Sequence, residues 1–185
     1  MYSEYELIAG CKKEIPEFQK FLYEKYGPAM LVLSLRYTGN IDEARDVLHD
    51  GFIKVLSQFK TYRQETPLEY WISKIIINTA IDYITNVHKK IIFKDMNKYD
   101  KIEDEITIDN DESYLELDPE IVLNKIQNLS TGYRTILNLH AFENYTHKQI
   151  ATLLGIKEGT VKSQLAKARK RLKEMLAENI KVERP

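Results

Sequence analysis

Residues Thr146 to Leu172 read THKQIATLLGIKEGTVKSQLAKARKRL, and this stretch decides the fold of the C-terminal part of the chain. Thr146 is a helix N-cap residue, and Gln149 three positions later supplies the return half of a capping box. Ile150, Ala151 and Leu154 then recur on one helical face. Ala151 is small where a second helix has to cross closely. Gly155 stands where the chain leaves the first helix, at a position that asks for a positive φ. Ile156 plugs the turn. Val161 and Leu165 lie one turn apart on the buried side of a second helix, and Thr160, Lys162, Ser163, Lys167 and Lys170 fall on its other faces. Capping box, small crossing residue, turn glycine and basic second helix together make a helix-turn-helix, which lays one helix in the major groove of DNA. A plain amphipathic helix pair with a solvated basic face accounts for any one of these features singly.

A DNA-binding reading sits awkwardly with a net charge of −1 over 185 residues, so the distribution of charge matters more than its total. Residues 1–94 carry 13 basic and 12 acidic side chains, residues 95–120 carry 2 and 11, and residues 121–185 carry 12 and 5. A basic C-terminal part is therefore masked by an acidic segment. The stretch DMNKYDKIEDEITIDNDESYLELDPE has little helical periodicity and reads as a flexible acidic linker. A self-repelling tether and a mimic of nucleic acid both account for its charge.

Elsewhere the apolar period is helical. Phe18, Phe21, Leu22, Ala29, Val32 and Leu33 mark one helix, which Pro28 is expected to kink or break. Gly39-Asn40 marks a turn. Ile41, Ala44, Leu48, Phe52, Val55 and Phe59 form the next stripe. After the polar loop Thr61–Pro67 comes a third stripe of Leu68, Trp71, Ile72, Ile75, Ile76, Thr79 and Tyr83; its surrounding period outweighs the strand-like run Ile75–Ile77. Asp118-Pro119 opens a further helix, and Ser130 or Thr131 caps another that carries Tyr133, Ile136, Leu137 and His140. The expected fold is all-α: two small helical domains, residues 1–94 and 118–185, joined by the acidic linker 95–117.

Several function classes are excluded or weakened. Cys11 is the single cysteine, so no internal disulfide forms, and it reads as the end of a helix rather than a lipidation site because Glu4 and Glu6 precede it. No stretch has the length of a transmembrane helix, and a cytoplasmic location is expected. No phosphate-cradling glycine loop or nucleophile–base pattern is present, so no catalytic residue, cofactor or small-molecule substrate is expected. His140 and His147 have only Glu143 nearby, too little for a metal site; they read as packing residues.

The chain resembles a sigma factor of the extracytoplasmic-function type, a branch of the sigma-70 family. LYEKYGPAMLVLSLRYTGNIDEARDVLHDGFIKV (Leu22–Val55) and YWISKIIINTAIDYI (Tyr70–Ile84) look like region 2, and LSTGYRTILNLHAFENYTHKQIATLLGIKEGTVKSQLAKARKRL (Leu129–Leu172) looks like region 4. The resemblance implies a protein that binds core RNA polymerase and directs it to promoters. The second domain would read the upstream (minus-thirty-five) element as duplex, and the first would read and open the downstream (minus-ten) element as single strand. The linker would thread the channel that RNA later occupies. An anti-sigma factor, often membrane-anchored in the family, is an implied partner.

Carried over residue by residue, the resemblance puts upstream-element contacts on Lys162, Ser163, Gln164, Ala166 and Lys167, with Thr160, Lys170 and Arg171 beside them. Gln164 and Lys167 stand where arginine is frequent, and lysine lacks the guanidinium fork, so weaker base discrimination is expected there. Lys170, Arg171 and Lys173 serve equally well as a generic basic tail. Downstream-element candidates are Tyr62, Arg63, Gln64 and Glu65 on the loop, with Asn78, Lys89 and Lys90; capping or packing are the alternatives for Asn78 and Asp82. Trp71 lies on the apolar stripe and is expected in the core. The helix bearing Asp46, His49 and Asp50 would meet the polymerase, or form a solvated acidic face beside Arg45. The competing function is a stand-alone helix-turn-helix regulator of duplex DNA, which the all-helical first domain argues against, since a receiver would alternate strands and helices.

Overall fold

The computed structural model describes residues 2–87 and 118–182, and all regular structure among them is helical. The linker 95–117 lies outside the described residues. The chain divides into two compact units, Met1–Tyr83 and Ile84–Pro185, each described by itself.

The first unit opens with α1 (Glu4–Lys12), started by a Ser3–Glu6 capping box in which the Glu6 amide donates to the Ser3 hydroxyl at 3.2 Å and the Ser3 amide to the Glu6 carboxylate at 2.8 Å. Leu7, Ile8 and Cys11 are buried, and burial pushes the Cys11 thiol up to about 11, so it stays protonated. α1 packs on α2 (Pro16–Thr38), with Gly10 at the crossing: a Cβ there would fall 2.2 Å from the Phe18 ring. The expected break at Pro28 does not occur, and α2 runs through it without interruption. Pro28 and Glu24, whose carbonyl the missing amide would have met, are both exposed, so water can take that carbonyl.

Asn40 caps α3 (Ile41–Gln58), accepting from the Glu43 amide at 2.8 Å. Ala44, Val47, Leu48, Phe52 and Val55 are its buried stripe. A 3-10 turn (Phe59–Thr61) and a loop lead to α4 (Leu68–Val87), which buries Ile72, Ile76, Ile77, Ala80, Ile81 and Ile84. The Ile75–Ile77 run is thus helical, as its surroundings require. α3 and α4 approach closely at Gly51, where a Cβ would lie 2.4 Å from Ile76 Cδ1.

In the second unit, Asp118 caps α5 (Pro119–Gln127), accepting from the Glu120 amide at 2.9 Å with Pro119 in the first turn. Ser130 takes the N-cap position of α6 (Thr131–Ala141) without a side-chain cap bond. Arg134 is only 6% exposed and donates to the carbonyls of Gln127 and Leu129 at 2.7 and 3.1 Å, which places its charge at the C-terminal end of α5. α7 (His147–Leu154) carries the expected capping box, with the Thr146 amide 2.8 Å from the Gln149 side-chain oxygen. α8 (Glu158–Val182) packs on α5, α6 and α7.

Gly155 joins α7 to α8 at φ 66°, ψ 34°, and its amide donates to the Ala151 carbonyl. A Cβ there would meet nothing within 4 Å, so any cost of a side chain is backbone strain alone. Gly155→Ala is expected to lower stability by about 1 kcal/mol and Gly155→Asn by less, because asparagine tolerates the left-handed region. Urea unfolding followed by circular dichroism measures both; an unchanged alanine variant rejects the strain argument.

Candidate nucleic-acid interface

The face that α8 offers is set by the face it buries. Val161, Gln164, Leu165, Ala168, Met175 and Leu176 are all buried, at the spacing of one helical stripe. Gln164 is 2% exposed, so the expected DNA contact at this position is corrected: three residues after Val161 and four before Ala168, it stands in the register of the core. The opposite side carries Ser163, Ala166 and Lys170 along its centre, with Gly159 one turn earlier. Lys162 and Lys173 lie on one flank, and Thr160 and Lys167 on the other. Lys162 and Lys170 are exposed, and Thr160, Ser163, Ala166 and Lys167 are half-buried. Small side chains thus run down the middle of the face from Gly159 to Ala166, with Lys170 beyond them and lysines at the flanks, which lets the first turns of the helix approach a groove closely.

Some of these candidates pair with carboxylates on the same helix. Lys162 pairs with Glu158 at 3.3 Å, and Arg171 with Glu174 at 3.2 Å. Both pairs are exposed and worth well under about 1 kcal/mol, so either cation can be drawn to a phosphate. The Ser163 hydroxyl donates to the Thr160 carbonyl at 3.1 Å, which leaves its acceptor capacity unused by that bond.

In the first unit, the expected downstream-element contact at Tyr62 is corrected: the side chain is core. It is 3% exposed, its ring 5.0 Å from that of Trp71 and 6.1 Å from that of Phe59. Its hydroxyl donates to the Thr66 carbonyl at 2.6 Å. Trp71 is half-buried and edge-on to Phe59 at 5.5 Å, in keeping with its stripe. Arg63, Gln64 and Glu65 are exposed, and Gln64 has φ 62°. A left-handed glutamine costs about 1–2 kcal/mol. One hydrogen bond returns about 1 kcal/mol, so the loop is close to balance without its ring packing.

Asn78 is exposed on α4, with exposed Lys74 one turn before it, a basic neighbour that the spacing of four would have revealed. Asp82 pairs with Lys54 of α3 at 3.2 Å, the helix-packing alternative. Lys89 and Lys90 lie outside the described residues. On α3, Asp46, His49 and Asp50 are exposed on one face, and Ile53, 56% exposed, continues it. The sequence places Ile53 seven residues after Asp46, in the same register, but its apolar character suggests core rather than contact surface.

His140 and His147 join the ends of α6 and α7. Their rings stack at 5.1 Å, and Arg169 of α8 reaches within 3.5 Å of His140 Nδ1. Among the described residues no three His, Cys, Asp or Glu side chains gather as a metal site.

The family model of sigma-70 region 2 matches residues 22–89, and that of sigma-70 region 4 matches residues 120–172. RNA polymerase sigma factor SigV of Bacillus subtilis is 30% identical over 138 residues, which cover 75% of this chain and 78% of that protein. The chain belongs to the sigma-70 family, in its extracytoplasmic-function group. The ECF RNA polymerase sigma-E factor of Haemophilus influenzae is 29% identical over 156 residues, 80% of this chain and 82% of the relative. The fold is also that of the sigma factor RpoE of Bartonella quintana, solved in complex with the anti-sigma factor NepR; the TM-score is 0.50 at 22% identity, covering 89% of this chain and 98% of the other. As a sigma factor, the protein directs core RNA polymerase to promoters and helps open the DNA, rather than acting as a stand-alone regulator. Neither family model that it matches is that of an enzyme.

The second unit of this sigma factor has a group that favours the neutral form on folding, His140 at the end of α6. Burial, then the positive Arg169, then His147 hold the His140 pKa below its ordinary value of 6.5. The folded state therefore binds fewer protons than the unfolded one. Stability is complete above the ordinary value and falls as pH drops from there through the depressed one. Thermal melting of the full chain between about pH 7.5 and about pH 5.5 is expected to show a larger decline in wild type than in His140→Gln. Equal declines reject this role for His140.

Proposed function

We propose that residues 118–185 form the domain that reads the upstream promoter element as duplex, through the outward face of α8. Ser163, Ala166 and Lys170 lie at its centre; Thr160, Lys162, Lys167 and Arg171 supply flanking contacts. Residues 1–94 form the domain that takes the downstream element as single strand, through Arg63, Gln64 and Glu65 on the loop and Asn78 on α4. Asp46, His49 and Asp50 meet core polymerase, with Ile53 as an apolar anchor of the same face. The observation that carries this reading is the geometry of α8: the side turned from the core is small down its middle from Gly159 to Ala166, and basic at its edges and at Lys170.

RNA synthesis stays in the polymerase, and the sigma factor supplies recognition and capture of opened DNA. The acidic stretch 95–117 joins the domains. A role on core RNA polymerase places the protein in the cytoplasm; no helix of the described residues is long and apolar enough to cross a membrane. An anti-sigma factor is a proposed partner, by likeness to the crystallised relative.

Transcription from a promoter library by core polymerase is the test. Specific transcripts are expected only with both components present, and sequencing their starts yields both elements. Ala166→Glu, which sets a carboxylate at the centre of the outward face, is expected to cut this transcription roughly tenfold or more while core affinity holds. Tight, specific duplex binding without polymerase would instead favour the stand-alone regulator.

A further inference from the structure

A tyrosine side chain ties the two ends of the loop between the 3-10 turn and α4. Tyr62 buries its ring between Phe59 and Trp71, and its hydroxyl reaches across to the Thr66 carbonyl at 2.6 Å. Between these two ends sit Arg63, Gln64 and Glu65, all exposed, with Gln64 at the left-handed φ of 62°. Glutamine does not choose that conformation by itself. The loop is held in it by its ends, and Tyr62 makes the side-chain bond that ties them. A second tether, the Lys60–Glu14 pair at 2.7 Å, is exposed at both partners and holds weakly. Burial raises the Tyr62 pKa above its ordinary value of 10.0, so the hydroxyl remains a donor throughout the physiological range.

We propose that Tyr62 is a positioning residue of the downstream-element site: its hydroxyl, bonded to the Thr66 carbonyl, preforms the left-handed tip that presents Arg63, Gln64 and Glu65 to the displaced DNA strand. The proposal rests on the downstream-element role of this loop. A strand that meets a closed loop does not have to order it, and the ordering cost is removed from binding. The ring and the hydroxyl divide the work. Phenylalanine would keep the contacts with Phe59 and Trp71 and lose only the tie across the loop.

Trp71 is the single tryptophan of the chain and lies 5.0 Å from the Tyr62 ring, so its fluorescence reports on the loop. The test compares full-length wild type, Tyr62→Phe and the triple variant Arg63→Ala/Gln64→Ala/Glu65→Ala. The probe is the labelled non-template single strand of a promoter identified by transcript-start sequencing. Tyr62→Phe is expected to bind this strand about 3- to 10-fold more weakly, with Trp71 more open to acrylamide quenching. Melting temperature and core-polymerase affinity are expected to stay at wild type. Wild-type strand binding by Tyr62→Phe, while the triple variant loses it, overturns the proposal and spares the role of the loop. Wild-type binding by the triple variant overturns both. Weaker strand binding with Trp71 accessibility unchanged means that the hydroxyl meets the strand directly, and also overturns the positioning role. A matching fall in melting temperature assigns Tyr62 to the fold alone and overturns that role as well.

Discussion

The buried stripe of α8 governs what the second unit can do. A helix in a small helical domain has one side to hide, and here Val161, Gln164, Leu165, Ala168, Met175 and Leu176 are hidden. With 3.6 residues per turn, that choice leaves no freedom over the opposite side. Gly159, Ser163, Ala166 and Lys170 must face out, and the lysines must flank them. The same packing orients α7, because Ile150 is fully buried against this core and Gly155 allows only a short turn between the helices. The face proposed for recognition and the face that gives stability are therefore two sides of one helical register.

Features that depend on neighbouring residues alone were legible in the sequence. The Thr146–Gln149 box, the Asp118-Pro119 start, the Asn40 turn and the left-handed Gly155 are each decided within a few residues. Features that depend on which side faces the core were not. Gln164 is polar and sits among DNA-facing positions of the family pattern, yet its spacing from Val161 and Ala168 already put it in the core. Pro28 lacks the amide that a helix uses, but the helix runs on where both Pro28 and Glu24 lie on the exposed side. In both cases the helical period held the answer, and residue type pointed away from it.

Tyr62 shows the same conflict in a loop. An aromatic residue in the polar stretch Thr61–Pro67 reads as a stacking surface for a base. Burying the ring against Phe59 and Trp71 is worth about 1.5–3 kcal/mol, more than solvent exposure offers, provided that the hydroxyl finds a partner. The Thr66 carbonyl is that partner. The aromatic thus frames the loop, and the polar residues between its ends are the ones that face outward. Sequence gives the composition of such a loop, and only the tertiary contact tells frame from display.

The chain's weak overall charge then becomes intelligible. Residues 121–185 are strongly basic, but the outward face of α8 uses lysines, which attract phosphate without the fork that fixes a guanine. Exposed pairs such as Lys162–Glu158 further moderate its field. A domain proposed to read duplex in this way gains little by binding it tightly alone. Held on polymerase with a second reader, it needs only modest affinity, because engaging one element makes engagement of the other effectively intramolecular.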